Sequence, residues 1–294
     1  MRGAAVASAE DSTTVDAALR RLTARLLARA GDFATAQLEA ELLLAHALGT
    51  TRAGLLLRGG VDRAGLEAGS ALAERRALSG EPVAYLLGRR EFRDLALLVD
   101  RRVLVPRPET ELLVDVFLEL HGTGGLPPGA VADRGTGSGN LALSVCDRRA
   151  VLASDISRDA LAVAAVNVAA HGAEGRVQLV AADGLLHLRQ GSVAAVLANP
   201  PYVEPGEHAR LPDDVRLHEP LVALVPGEGS AQAMFARLLH EARAVLAPGG
   251  WLLTEVGAGQ APLVAGLASV SGYAWVAVHD DLNGIERVVA ARRS

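Results

Sequence analysis

From residue 130 onward, short β-prone apolar runs alternate with helical patterns, and this alternation constrains the fold more than any other sequence feature. The runs predict strands at residues 130–133, 151–155, 177–181, 193–198 and 251–256, with two more near 275–279 and 288–291. The intervening segments predict helices at about 140–146, 157–170, 230–246 and 262–270. Strands that alternate with helices are typical of a mostly parallel sheet covered on both faces. Such sheets bind ligands at the carboxyl ends of their strands.

The first third of the chain has a different pattern. Between Thr14 and about Gly88, apolar residues recur at helical spacing with glycines as breaks, which predicts a bundle of four or five helices. Two β-prone runs at 95–99 and 103–105 then predict a hairpin, and a helix is expected to begin just after Pro108. The expected domains are a helical bundle at 1–88, a hairpin linker at 89–108 and an α/β domain at 109–294.

Composition limits the class of protein. The chain has 294 residues, of which 50% are hydrophobic and 21% charged, so it can bury a large core. The single cysteine, Cys146, excludes an intrachain disulfide and fits a reducing compartment. No uncharged apolar run approaches the roughly 18 residues of a membrane span. Within the first thirty residues, where a signal peptide has its apolar region, the sequence has Arg20, Arg21, Arg25 and Arg29. We therefore expect a cytoplasmic protein without a membrane partner.

Charge and residue usage exclude several kinds of chemistry. The formal net charge of −5 argues against a protein whose main work is to bind a nucleic-acid backbone, so no stable nucleic-acid partner is expected. The sequence contains no lysine, which excludes Schiff-base catalysis and the lysine of a phosphate-binding P-loop. Its 8 histidines show no pair at metal-ligand spacing, so we predict no metal site.

The predicted strand ends carry the unusual residues. The first strand runs into "DRGTGSGN", where three alternating glycines form a tight turn that lets a ligand approach the backbone. Such a turn is typical of a nucleotide site but also occurs in plain loops. The second strand ends at Asp155, twenty residues beyond Gly135, where a carboxylate can bind ribose hydroxyls. Asp183, after the third strand, could bind an adenine amine or form an Asx turn.

The fourth predicted strand ends in Asn199, Pro200, Pro201 and Tyr202. Two prolines cannot continue a sheet ladder, so the strand must stop there. With this segment in place, "GTGSG", "SDIS", "AAD" and "NPPY" resemble the successive motifs of class I S-adenosylmethionine-dependent methyltransferases that methylate an amide or amino nitrogen. That resemblance implies a Rossmann-like sheet of seven mostly parallel strands.

Further segments narrow the resemblance and extend it over nearly the whole chain. "EPVAYLLGRREF", "VLVPRPETELLV", "HEPLVAL", "GGWLLTEVGAGQ" and "DLNGIERVV" are similar to segments of the PrmC/HemK family, the protein-(glutamine-N5) methyltransferases of peptide chain release factors. "EAELLLAHALG" resembles that family's N-terminal recognition domain, a small all-α domain joined by a β-hairpin. The implied cofactor is S-adenosylmethionine, and the implied substrate is the glutamine of a release factor's Gly-Gly-Gln motif. We expect the protein to be a monomer.

The resemblance also implies which residues form the site. The expected catalytic residues are Asn199, Pro200 and Tyr202, and the expected substrate-binding residues are Phe92, Asn199, Pro200, Pro201 and Tyr202. The expected cofactor-binding residues are Gly135, Thr136, Gly137, Ser138, Gly139, Asp155, Ile156, Asp183, Gly184 and Asn199.

An amide nitrogen is a poor nucleophile because its lone pair is delocalised into the carbonyl, so positioning must do most of the work. The side-chain oxygen of Asn199 and the backbone carbonyl of Pro200 can accept the two N–H bonds of a glutamine amide. Tyr202 offers a flat face to that amide, and the resemblance implies that Phe92 helps to wall the same slot. No strong general base is needed, because the nitrogen becomes more acidic as it gains the methyl group.

One residue departs from the family pattern. Arg134 stands before the first glycine of the turn, where the pattern has a small apolar residue, usually leucine. A guanidinium there must reach water or pair with a carboxylate. Two alternatives follow: a methyltransferase of this fold that acts on a small metabolite or another protein nitrogen, or a non-catalytic module with a degenerate cofactor site. Taken singly, Asn199 could form an Asx turn and Phe92 or Tyr202 could belong to the core.

Overall fold

The computed structural model describes residues 13–227 and 229–294, so residues 1–12 of the expected helical domain and residue 228 lie outside the described residues. The chain divides into two compact units. The helical unit contains the described residues up to Gly88 together with Asp213–His218, and the α/β unit contains Arg89–Pro212 and Glu219–Ser294. The short segment Asp213–His218, which sequence analysis assigned to the third domain, thus belongs to the helical unit.

The helical unit consists of α1 (Val15–Ala30), α2 (Phe33–Ala47), α3 (Arg52–Leu56), α4 (Arg63–Ser79) and α5 (Val83–Leu87), with α9 (Asp213–His218) added from later in the chain. The first four helices each begin after a Thr or Asp whose side chain accepts a backbone N–H of the first turn. Leucines and alanines of α1, α2 and α4 form the core of this unit. The predicted bundle of helices is confirmed.

The hairpin at the start of the α/β unit lies earlier than predicted. Its strands are β1 (Arg89–Phe92) and β2 (Leu95–Leu98), which pair in antiparallel register across a two-residue turn at Arg93. The prediction of a strand at 103–105 was wrong. There the backbone N–H of Val103 donates to the Asp100 carbonyl (3.0 Å), and the Arg102 guanidinium binds the Asp100 carboxylate. These bonds hold the chain in a turn instead of an extended strand.

The sheet of the α/β unit has seven strands in the order β5-β4-β3-β6-β7-β9-β8. The five strands β5, β4, β3, β6 and β7 run parallel to one another, and β9 pairs antiparallel with β7 and β8. The strands are β3 (Ala130–Arg134), β4 (Val151–Asp155), β5 (Val177–Ala181), β6 (Val193–Ala198), β7 (Leu246–Glu255), β8 (Tyr273–Asp280) and β9 (Glu286–Arg293). The predicted Rossmann-like, mostly parallel sheet is confirmed, and every residue of β6 is buried.

The helices of this unit are α6 (Glu111–Gly122), α7 (Asn140–Val145), α8 (Arg158–Ala170), α10 (Leu221–Leu224), α11 (Ala231–Val245) and α12 (Ala261–Val270). Apolar residues of α11 and α12 pack with β6 and β7 into one core cluster. The strand order reverses between β3 and β6. Because parallel strands end at one edge of a sheet, Gly135, Asp155, Asn199 and Glu255 come to that edge, beside the reversal where such sheets bind ligands.

Candidate active site

A cavity of about 710 Å³ lies at the carboxyl ends of the parallel strands. The loops after β3, β4, β5 and β6 form one side of it, and the segments 102–110 and 220–227 contribute the other. Most of the predicted site residues line the cavity, namely Gly135, Thr136, Gly137, Ser138, Asp155, Ile156, Asp183, Gly184, Asn199 and Pro201. The structure thus brings together residues that four different strands supply.

The glycine loop after β3 turns through left-handed backbone conformations. Gly135, Gly137 and Gly139 have φ values of 73°, 55° and 86°, which residues with a Cβ rarely adopt. A Cβ added at Gly135 or Gly137 would meet no atom within 4 Å, so that backbone faces open space. At Gly139, which does not line the cavity, a Cβ would contact Ala164 of α8 at 3.6 Å. The first two glycines therefore form a cradle that a ligand could approach, whereas the third lies against a helix.

Asp133, the buried acid before this loop, has a structural role that sequence analysis did not identify. Its Oδ2 accepts the Thr136 hydroxyl at 2.6 Å and the backbone N–H of Ala142 at 3.1 Å. Because the residue that precedes α7 is Gly139, which has no side chain to cap the helix, Asp133 supplies the missing acceptor from the preceding strand. Burial raises the pKa of Asp133 to about 7.

Asp155 lies at the end of β4 and closes the glycine loop. Its Oδ2 accepts the N–H of Gly137 at 2.9 Å, and its Oδ1 accepts the N–H of Ser157 at 2.8 Å. Burial raises its pKa, and these backbone hydrogen bonds act in the opposite direction. Each carboxylate oxygen keeps a lone pair for a further donor such as a hydroxyl. Ile156, beside it, exposes 58% of its surface along the cavity.

Asp183 and Gly184 belong to a charged cluster that sequence analysis did not identify. The guanidinium of Arg237 on α11 donates to Asp183 Oδ2 (3.1 Å) and to Glu241 Oε1 (2.7 Å). The other oxygen of Glu241 accepts the N–H of Leu185 at 2.8 Å. A Cβ at Gly184 would lie 2.2 Å from that carboxylate oxygen, so the close approach requires glycine. Arg237 thus already occupies part of the hydrogen-bonding capacity of Asp183.

Arg134 extends into the same cluster from β3. It lines the cavity, and its buried Nε has no hydrogen-bond partner among the described residues. Burial lowers the pKa of its guanidinium, whereas the carboxylates of Glu241, Asp183 and Asp155 act in the opposite direction. An arginine remains charged in proteins. Within the described part of the chain, nearby carboxylates balance this guanidinium without a direct ion pair.

Asn199 and Tyr202 are tied to buried polar residues at the edge of the sheet. The Nδ2 of Asn199 donates to Thr110 Oγ1 at 3.0 Å, and Thr110 Oγ1 donates to Glu255 Oε2 at 2.5 Å. The Tyr202 hydroxyl donates to Glu255 Oε1 at 3.1 Å, and the Gln260 side chain donates to the Tyr202 carbonyl at 3.0 Å. The segment from Asn199 to Tyr202 is therefore linked to Glu255 at the end of β7 at two points. Asn199 is linked through Thr110, and Tyr202 is linked directly.

Phe92, Pro200 and Tyr202 do not line the cavity. Phe92 is 1% exposed on β1, and Pro200 is also buried. The Tyr202 ring packs against the core cluster of α11, α12 and the central strands, and burial raises the pKa of its hydroxyl. Of the two flat faces that sequence analysis assigned to the amide slot, that of Phe92 is thus covered by protein, whereas Tyr202 is partly buried. Thr110, in "PRPET", is a cavity residue that sequence reasoning missed, although the motif itself was the available signal.

The described residues contain neither a metal-binding cluster nor a membrane-spanning helix. No group of three or more His, Cys, Asp or Glu side chains there is arranged to hold a metal ion. Within the same residues, no helix has the length and apolar character needed to cross a membrane.

The fold, with its cavity at the carboxyl ends of the parallel strands, has a counterpart among solved structures. The catalytic domain of hMettl16 in complex with the MAT2A 3'UTR hairpin 1 shares this fold, with a TM-score of 0.56 and 17% identity over 76% of this chain and 78% of that one. Residues 17–88 match the PrmC N-terminal domain, and residues 108–213 match the methyltransferase small domain.

Relatives of known name cover almost the whole chain. The release factor glutamine methyltransferase of Nitratidesulfovibrio vulgaris is 38% identical over 289 residues, which is 96% of each chain. The proteins of the same name from Cereibacter sphaeroides and Moorella thermoacetica are each 39% identical, over 94% of this chain and 97% and 96% of theirs. The chain belongs to the release factor glutamine methyltransferase family.

Proposed function

We propose that this chain transfers a methyl group from S-adenosylmethionine to the side-chain amide nitrogen of the glutamine in a release factor's Gly-Gly-Gln motif. Family membership over nearly the full length supports this function over methylation of a small metabolite. The single observation that carries it is the environment of Asn199. This side chain lines the cavity with its amide nitrogen bound to Thr110, which leaves its oxygen for an incoming N–H.

The cavity has the groups that S-adenosylmethionine requires. The open backbone at Gly135 and Gly137 would receive the methionine part, and Asp155 retains acceptor capacity for the ribose hydroxyls. Thr136, Ser138, Ile156, Asp183 and Gly184 complete the lining on that side. When bound, the cofactor supplies an electrophilic methyl group on its sulfonium sulfur.

The chain's own residues orient the nucleophile. Asn199 Oδ1 accepts an N–H of the glutamine amide and directs its lone pair to the methyl group. The second acceptor expected from the sequence, the backbone carbonyl of Pro200, belongs to a buried residue outside the cavity lining, so Asn199 carries this role. Pro201 lines the cavity beside Asn199, and Tyr202 supports the segment from behind through Glu255. No cavity side chain has to act as a strong base. As the nitrogen–carbon bond forms, the methyl–sulfur bond would break with its electron pair left on sulfur, and the amide proton becomes acidic enough to pass to water.

The remaining assignments are part of the same proposal. The helical unit is the proposed recognition surface for the release factor, and the protein acts as a monomer. A reaction on release factors places the chain with the translation machinery in the cytoplasm, and its lone cysteine fits a reducing compartment.

The test is methyl transfer from labelled S-adenosylmethionine to a purified release factor, with the modified residue located by mass spectrometry. The wild-type chain should label the glutamine of Gly-Gly-Gln. Asn199→Ala should retain cofactor affinity but lose rate by roughly 10²–10³, by analogy with a lost oxyanion donor. The matched variant Asp155→Ala should weaken cofactor binding about tenfold or more, because it loses charge-assisted hydrogen bonds. Labelling of another residue by the wild type would refute the substrate, and an active Asn199→Ala would refute the mechanism.

A further inference from the structure

The side-chain amide of Asn199 can perform its proposed role in only one of its two orientations. If the oxygen faces the cavity, it accepts an N–H from the glutamine amide. If the group is rotated by about 180°, it presents N–H donors, which cannot bind another N–H. The orientation of this amide is therefore a requirement of the reaction, and something in the protein must set it.

With Glu255 ionised, the hydrogen bonds behind Asn199 leave one orientation; burial raises the pKa of this carboxyl, and its hydrogen bonds with Thr110 and Tyr202 act in the opposite direction. Glu255 is a buried carboxylate, 1% exposed, and as an acceptor it takes the hydroxyl protons of both Thr110 (2.5 Å) and Tyr202 (3.1 Å). Since the one hydroxyl proton of Thr110 points to Glu255, its oxygen can only accept from Asn199. The group at 3.0 Å from Thr110 Oγ1 must therefore be the amide N–H of Asn199.

Burial makes this arrangement costly to reverse. Thr110 is 1% exposed, so a rotated Asn199 would bring its oxygen against an oxygen that has no proton to offer. Two acceptors would then face each other where water cannot compensate, and a buried polar group without a partner is destabilising. The three side chains come from the start of α6, the end of β6 and the end of β7, so no local sequence motif contains all of them.

We propose that Thr110 is a positioning residue that, with its proton held by Glu255, fixes the Asn199 amide with its oxygen toward the substrate. Thr110 acts through Asn199 and leaves the chemistry itself to the amide and the cofactor. Tyr202 contributes from the opposite side by holding the second oxygen of Glu255, so the carboxylate cannot turn away from Thr110. This inference rests on the proposed function.

The decisive variant is Thr110→Val, which keeps the shape of the side chain and removes its hydroxyl. With the hydroxyl gone, neither orientation of Asn199 is preferred, and kcat for release-factor methylation should fall about tenfold, the effect of losing one hydrogen bond. The KM for the release factor and the Kd for S-adenosylmethionine, measured by calorimetry, should not change. Thr110→Ser restores the hydroxyl and should restore most of kcat, which a merely structural contribution of the threonine would not explain.

Thr254→Val is the matched control. Thr254 is also fully buried on β7, but its hydroxyl donates to the backbone carbonyl of Glu255 and, among the described residues, forms no hydrogen bond with Asn199. It should change kcat little while showing the stability cost of losing a buried hydroxyl. Should Thr110→Val not fold, Glu255→Gln tests the same chain of bonds, because it keeps the volume of the side chain and removes the charge that fixes the direction of the Thr110 hydroxyl proton. It should likewise lower kcat.

Three results would overturn the inference: wild-type kcat in Thr110→Val, an equal loss in Thr254→Val, or a loss of cofactor affinity as large as the loss of kcat. A parallel assay of the wild-type enzyme distinguishes failure of this inference from failure of the proposed function. If the wild type fails to methylate the release factor, the proposed function is refuted. If it succeeds and Thr110→Val matches it, only the role of Thr110 is refuted.

Discussion

At the scale of single residues, Arg134 shows how a charge can be accommodated at the foot of the glycine loop. Its guanidinium lies among Glu241, Asp183 and Asp155, whose carboxylates favour its charged form against the effect of burial. It makes no direct ion pair with any of them among the described residues. The buried Glu241 has other partners, Arg237 and the N–H of Leu185. The carboxylates of the cluster thus compensate the charge of Arg134, whereas the hydrogen bonds of Glu241 are made with Arg237 and Leu185.

Arg134→Leu should therefore leave cofactor binding unchanged or slightly stronger. The substitution removes a buried Nε that lacks a partner and leaves Glu241 bonded, so the free energy of unfolding should not fall. Calorimetric titration with S-adenosylmethionine and thermal melting measure the two quantities. Arg237→Leu is the control: it deprives both Glu241 and Asp183 of a direct partner and should lower the melting temperature. A tenfold loss of cofactor affinity in Arg134→Leu would mean instead that Arg134 contacts the cofactor.

At the scale of elements, β3, the glycine loop and α7 form one unit that is held together by Asp133. The helix begins after a glycine in a left-handed conformation, so it has no capping side chain of its own. Asp133 replaces that cap and at the same time fixes the Thr136 side chain within the loop. Its other oxygen, Oδ1, is buried without a hydrogen-bond partner in the described part of the chain. The geometry of the loop is thus maintained by a carboxyl group whose burial disfavours its ionised form.

Asp133→Asn should stabilise the protein near neutral pH. Burial raises the pKa of Asp133 from an ordinary value of 3.8 to about 7, so between these values the folded state holds a proton that the unfolded state lacks. The stability from this proton is complete below about pH 4 and is lost as the pH rises through about 7. Asparagine imitates the protonated form, and the variant should gain most over wild type at pH 8 in thermal melts from pH 5 to 8.

A control separates charge from capping in this experiment. Asp133→Ala also removes the charge, but it leaves the N–H of Ala142 without its acceptor, which costs about 0.5–2 kcal/mol for a lost cap. Equal melting temperatures for wild type and Asp133→Asn at every pH would contradict the raised pKa.

At the scale of the whole molecule, the chain passes through the helical unit twice. After the Asn-Pro-Pro-Tyr segment it enters α9, and it returns to the α/β unit at Glu219. Within the helical unit, Arg76 of α4 donates to Glu39 (2.7 Å), to the Gly80 carbonyl (3.0 Å) and to Asp214 of α9 (3.4 Å). The buried pair of Arg76 and Glu39 therefore also anchors the later segment.

Arg76→Met should destabilise the helical unit by about 3–5 kcal/mol, because it leaves the buried Glu39 carboxylate without its partner. It should also increase proteolytic cleavage between residues 213 and 218, since α9 loses one of its anchors. Denaturant unfolding and limited proteolysis measure the two effects. Arg75→Met is the matched control on the same helix: its ion pair with Glu81 is half exposed at the arginine and is worth roughly 0.2–1 kcal/mol. Similar losses in both variants would contradict the role of Arg76.

The sequence by itself determined the alternation of strands and helices in the α/β unit and the residues at the strand ends. Local pattern decides this: a short, fully apolar run such as β6 that ends in prolines favours a buried strand, and the prolines after Asn199 end it. The glycine loop after β3 and the acid Asp155 at the end of β4 were likewise predicted from short stretches of sequence. Each of these features is contained in a stretch of a few residues, so it can be predicted before the chain is folded.

Only the tertiary structure decided which side chains meet behind those ends. Thr110, Asn199 and Glu255 are far apart in sequence, and nothing in any one segment indicates that they form one hydrogen-bonded chain. The same holds for the burial of Phe92, for Arg237 beside Asp183, and for the residence of α9 in the helical unit. The strand predicted at 103–105 was wrong because a turn at Asp100 outweighed its β propensity. Local propensities are short-ranged, whereas partner choice depends on which strand ends the sheet topology brings to one edge.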